Sequence, residues 1–170
     1  MILWYAGLAL AIVWNVFRDP ALDHRLVVAG ALLPDVVDLV AGISGATPNP
    51  GHPAYAHTLA APVAVLLAVM AGTRGRRAAR RRLLALPIGM LLHLVLDGTW
   101  TRSEVLWWPF FGVSFPEAQL WPPLLLALAE EVAGAAALWW FVHRFRLTDP
   151  GPRQTFLRTG RLAARNGTVA

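Results

Sequence analysis

Five apolar runs closed off by arginine constrain this chain more than any other feature. They cover residues 1–17, 26–43, 57–72, 83–97 and 124–142. At about 15 to 19 residues each, they approach the roughly 20 residues that cross a hydrocarbon core. The second run is broken by Pro34, Asp35 and Asp38, and the fifth by Glu130 and Glu131. Only 15% of the 170 residues are charged, against about 25% in a soluble domain, so a water-facing surface is hard to build. The expectation is an all-α, polytopic membrane helix bundle of about five transmembrane helices, with the bilayer as its first partner.

The net charge of +5 comes from arginine alone, since the chain has no lysine. The arginines flank apolar runs and accompany no nucleic-acid motif, which argues against a nucleic-acid partner. Arg18 and Arg25 follow the first run, and six arginines from Arg74 to Arg82 follow the third. Another six, from Arg144 to Arg165, follow the fifth, and only Arg102 falls elsewhere. Alternate connections therefore carry nearly all the positive charge, which predicts an outside N-terminus and a cytoplasmic C-terminus. Arg18 comes after the first run rather than before it, as in an uncleaved anchor. Residues 1–147 read as the membrane domain, and 148–170 as a polar, Arg-rich, poorly ordered cytoplasmic tail. Cysteine is absent, which excludes disulfides and thiolate metal sites.

Ionisable residues inside apolar runs are costly and usually face a bundle interior or a wet cavity. His93 and Asp97 are one helical turn apart, and Asp35 and Asp38 also share a face. With alternating run directions, Asp35, Asp38, His57, His93 and Asp97 reach a similar depth near the outer surface. His52 in the adjoining loop is a further candidate, and Glu130 or Glu131 could support the cluster from the fifth run. His24 and His143 fall at the opposite end and read as interface residues. Imidazole and carboxylate together are the donor set of zinc or a similar divalent ion. An open coordination position would ionise water near neutral pH. The other reading is interhelical hydrogen bonding, or a cavity that takes an ion or proton. Between residues 98 and 123, Trp100, Trp107, Trp108, Phe110, Phe111, Phe115 and Trp121 suit a membrane interface, as a belt or as a wall over the cluster.

Three elements in order carry a resemblance: LLPDVVD (Pro34, Asp35, Asp38), HPAYAHT (His52, His57, Thr58), and HLVLDGTW with WWPF (His93, Asp97, Trp108, Pro109). Spanning about half the chain, they resemble the bacterial family of LexA-binding, inner-membrane-associated metal-dependent hydrolases. The resemblance implies a multi-pass protein of the bacterial inner membrane and a metal-dependent hydrolase. Asp35, Asp38, His57, His93 and Asp97 would be its ligands, with Asp35, Asp38 and Asp97 also the candidate catalytic carboxylates. His52 and Glu131 are secondary ligand candidates. A phosphoester or other ester of a lipid head group is the substrate class that such a site would meet at the interface. The competing class is a non-enzymatic membrane protein whose His/Asp cluster is structural or binds an ion or proton.

Overall fold

The computed structural model describes residues 1–44, 55–113 and 123–162, and these are all helix, turn and connection. In chain order the α-helices are α1 (Ile2–Phe17), α2 (His24–Ile43), α3 (Ala60–Gly72), α4 (Arg77–Leu83), α5 (Ala85–Leu96), α6 (Ser103–Leu106), α7 (Leu124–Arg144) and α8 (Pro150–Thr159). Short 3₁₀ turns occupy Tyr55–His57 and Thr99–Thr101. The apolar runs thus become helices, and the protein is all-α as expected.

The number of spans is corrected. Among the described residues two helices, α2 with 20 residues and α7 with 21, are long and apolar enough to cross a membrane, rather than about five. The orientation that rested on five crossings falls with that number. The reason is helix length. The third run opens with the 3₁₀ turn at His57, so α3 keeps only 13 residues. The fourth run breaks at Leu84 between α4 and α5, which leaves α5 with 12 residues. At about 1.5 Å per residue these helices are roughly 20 Å long or less, and even the 16 residues of α1 reach only about 24 Å. The outer surface of α7 is apolar: Leu124, Leu125, Val132 and Trp139 are all exposed. Such a surface requires hydrocarbon or another apolar partner.

Glycine decides how closely the helices approach. A Cβ on Gly89 would collide with the backbone of α2 at Val27 and Ala31, and one on Gly30 would collide with Leu86 of α5. These two helices therefore touch backbone to backbone, as small residues allow in membrane bundles. Gly7 and Gly134 do the same for α1 and α7. The interior of the bundle is Tyr5, Ala9, Val13, Leu22, Val27, Ala31 and Ala85, with a second cluster of Leu10, Phe141 and Leu162.

Beyond Thr148 the chain forms α8 and folds back onto the bundle. Phe156 packs against the Leu10–Phe141–Leu162 cluster. The Leu162 amide donates to the Pro20 carbonyl at 2.9 Å, and the His24 amide to that of Gly160 at 2.9 Å. The arginine-bearing connections consequently meet at one end of the bundle. There Arg81 pairs with Asp19 at 2.6 Å and Arg82 with Asp23 at 2.9 Å.

A candidate metal centre

The polar cluster sits at the opposite end and is built from α2 outward. Ala31, Asp35 and Asp38 are spaced i, i+4 and i+7, so one face of α2 presents all three. Pro34 lacks an amide hydrogen, so the Gly30 carbonyl loses its usual i+4 donor within α2. The close α2–α5 seam brings His93 against this face. Its Nδ1 lies 2.7 Å from the Ala31 carbonyl. A carbonyl only accepts, so Nδ1–H donates and Nε2 of neutral His93 carries a lone pair.

His57 reaches the same point from the 3₁₀ turn. Its Nδ1 lies 2.7 Å from Asp38 Oδ2, and Asp38 Oδ1 accepts the Ala56 amide at 3.0 Å. Nδ1 of this ring also donates, which leaves Nε2 bare. The turn is held by Thr58, whose hydroxyl donates to the Tyr55 carbonyl at 2.8 Å, and by the edge of Trp108 against Tyr55 at 5.3 Å. A backbone bond from Leu59 to Leu106 ties it to the aromatic segment.

The two Nε2 atoms are 3.1 Å apart, and Asp35 Oδ1 lies 3.4 Å from that of His57 and 3.6 Å from that of His93. Both imidazoles are fully buried, while the Asp35 side chain is 39% exposed. With both imidazoles neutral, three acceptors converge with no donor among them. That arrangement is unfavourable unless a cation or a proton sits between the atoms. A point equidistant from all three lies about 2 Å from each, the bond length of zinc to nitrogen or oxygen. Asp35, His57 and His93 therefore fit a divalent ion. Without one, burial disfavours the charged form of His57, but the hydrogen bonds to Asp35 and Asp38 outweigh it and raise its pKa to about 9.

The remaining predicted residues fall around this triangle. Asp38 binds the far nitrogen of His57, the position of a carboxylate that orients a ligating histidine. Asp97 accepts from the Tyr5 hydroxyl at 3.1 Å and from Thr99 at 2.6 Å. The Tyr5 ring lies 4.1 Å from that of His93. Glu131 is turned away, accepting the Leu3 amide at 3.0 Å and facing the N-terminal amine at 3.8 Å. His52 lies outside the described residues. The sequence reading missed Tyr5 and the Ala31 carbonyl. Tyr5 had a signal, a lone hydroxyl inside an apolar run, whereas a carbonyl has none.

A cavity of about 350 Å³ opens beside the triangle. Its polar lining is Asp35, Asp38, His57, Asp97 and Tyr5, and the rest is apolar, from Met1 and the first residue of α1, Ile2, to Leu32, Val36 and Leu39 on α2.

Fold and site together define a membrane-associated helical protein with a buried His/His/Asp cluster able to coordinate a metal. The chain matches the family described as YdjM inner membrane protein over residues 4–149, and it belongs to that family. The family carries the inner-membrane part of the expected resemblance; its description says nothing of LexA or of hydrolysis. No curated protein and no solved structure matches this chain.

Proposed function

We propose that this protein is a divalent-ion-binding protein of the inner membrane, with zinc held by Asp35, His57 and His93. The observation that carries this reading is the convergence of two imidazole lone pairs and one carboxylate oxygen, each ring already fixed through its other nitrogen. Two nitrogens and one oxygen suit zinc better than magnesium or calcium, which prefer all-oxygen shells. Asp38 positions His57, and the Ala31 carbonyl positions His93. The test is metal content of the full-length protein purified in mild detergent. About one ion per chain is expected in the parent, with loss in both Asp35→Asn and His93→Ala. A chelator should destabilise the parent and change the variants little. An ion-free parent that ignores the chelator would leave the cluster as hydrogen-bonded packing or a proton site.

A second reading is favoured by the cavity. It places an apolar wall beside the ion site and, besides Asp35 and Asp38, the carboxylate of Asp97 within the same lining. A bound divalent ion supplies Lewis acidity and makes water a nucleophile near neutral pH. The chain's own residues would then seat an ester of a lipid head group. Leu32, Val36 and Leu39 take its apolar part, and Asp97, held by Tyr5 and Thr99, accepts a proton. Release of head group from phospholipid micelles by the metal-loaded parent, lost in Asp97→Asn with the metal retained, is the expected result. Metal binding without any turnover would leave the ion-binding reading and remove the hydrolase.

A further inference from the structure

At the arginine-rich end, a second cavity of about 480 Å³ lies between the start of α2, α4 and α8. Its charged and hydroxyl lining is Asp23, Arg81, Arg82, Arg158, Thr159 and Arg161. Four guanidiniums face one carboxylate, and that carboxylate is already committed. Asp23 is buried as the N-cap of α2. Its Oδ1 accepts the Arg25 amide and Nε at 3.2 Å each. Its Oδ2 accepts Arg25 Nη2 at 3.1 Å and Arg82 Nε at 2.9 Å.

Arginine flanking a span normally gives a diffuse field on mobile side chains. Here the side chains are organised. Arg82 is anchored on buried Asp23, and Arg81 on Asp19. The opposite wall, α8, is fastened by Arg25 Nη1 donating to the Leu157 carbonyl at 2.7 Å and by Gly160 seated against Asp23, where a Cβ would clash. Among the described residues, Arg158 and Arg161 have no carboxylate partner. The result is a concave site with two anchored guanidiniums, two more on its α8 wall and surplus positive charge, a combination suited to binding a phosphate group through N–H bonds.

We propose that this cleft is a binding site for a phosphoanion, the head-group phosphate of an anionic phospholipid or a free phosphate. Its place at the first turn of the candidate span α2 puts it at head-group level. Leu157, exposed on α8 beside Arg158, offers an apolar contact there.

The test measures lipid and anion binding by the full-length protein in neutral detergent at low salt. Phosphatidylglycerol should bind at least tenfold more tightly than phosphatidylcholine by native mass spectrometry. An Arg158→Gln, Arg161→Gln double variant should lose that preference. An Arg74→Gln, Arg76→Gln variant removes the same charge from the same end outside the cleft, and should stay within twofold of the parent. Inorganic phosphate as the sole probe separates the sources. If it binds the parent at least tenfold more tightly than the double variant, while the glycerolipid shows no preference, the cleft serves a free phosphate. Equal loss in both arginine pairs would reduce the effect to a diffuse juxtamembrane field and overturn the proposal. So would a parent that prefers neither probe. Melting curves of both variants matching the parent show that the comparison is between folded proteins.

Discussion

Asp38 and Asp35 differ by which side of an imidazole they face. Asp35 meets Nε2 of His57, where an ion fits, whereas Asp38 holds Nδ1. Their asparagine variants should therefore differ in kind. Asp35→Asn would remove a ligand of the proposed ion and should abolish stoichiometric metal. Asp38→Asn should keep one site but weaken it about 10- to 100-fold, as for other outer partners of ligating histidines. Titration calorimetry with zinc on the chelated protein distinguishes the two, and identical losses would make Asp38 a ligand. A second residue-scale prediction concerns Asp23. Burial opposes its ionisation, but the hydrogen bonds from Arg25 and Arg82 outweigh this and hold its pKa below the ordinary 3.8. A lowered folded pKa contributes stability that is full above the unfolded value and is lost as pH falls through the folded one. Asn preserves the helix cap but not the charge, so Asp23→Asn should cost about 2 kcal/mol near neutral pH, discounted for the exposure of both arginines. The melting curves of parent and variant should converge on acidification below 3.8. A cost that persists in acid would assign the effect to packing.

The seam between α2 and α5 is the element on which the candidate metal centre depends. Gly30 and Gly89 let the two backbones touch, and that contact delivers His93 to the Ala31 carbonyl. Gly89→Leu should force the helices apart, costing about 3 kcal/mol or more, and should take metal binding with it although no ligand has changed. Gly72→Ala is the control, because a Cβ there meets nothing within 4 Å. Thermal melts and metal content on the same samples check both halves. Retained metal in Gly89→Leu would show that the site does not require this seam. The apolar runs were legible as helices because hydrophobic continuity is a local property. The seam was not, because glycine in an apolar run reads the same whether it faces lipid or another backbone. Likewise α8 lies in a polar, proline-bearing stretch with no apolar periodicity, and its docking rests on Phe156 and Leu162, which gain meaning only from Leu10 and Phe141.

For the whole molecule, the exposed apolar surface of α2 and α7 predicts a membrane-integrated chain. It should remain with the membrane after an alkaline carbonate wash and leave only with detergent. Release by carbonate alone would show that those faces are covered by protein instead. Metal should act at this scale too. Saturating zinc at about 100 times its Kd should add roughly 2.7 kcal/mol to the chelated protein, since the unfolded chain has no preformed site. Melting temperature against free zinc checks this, and a flat response would exclude a site coupled to folding.

The sequence by itself determined the helical class, the membrane setting, the gathering of arginine into a few connections, and the polar residues from which the cluster is drawn. Each of those follows from composition and from spacing along one helix, which the chain carries locally. The tertiary structure decided the rest. Among the described residues it limited the candidate spans to two, because helix length depends on where turns interrupt an apolar run. It made Asp35, His57 and His93 one triangle and set Asp38, Asp97 and Glu131 around or away from it, because the direction of a side chain across a helix interface depends on how closely two backbones meet. It also turned scattered arginines into a cleft, since charges distant in the chain share a wall only after α8 folds back onto α2.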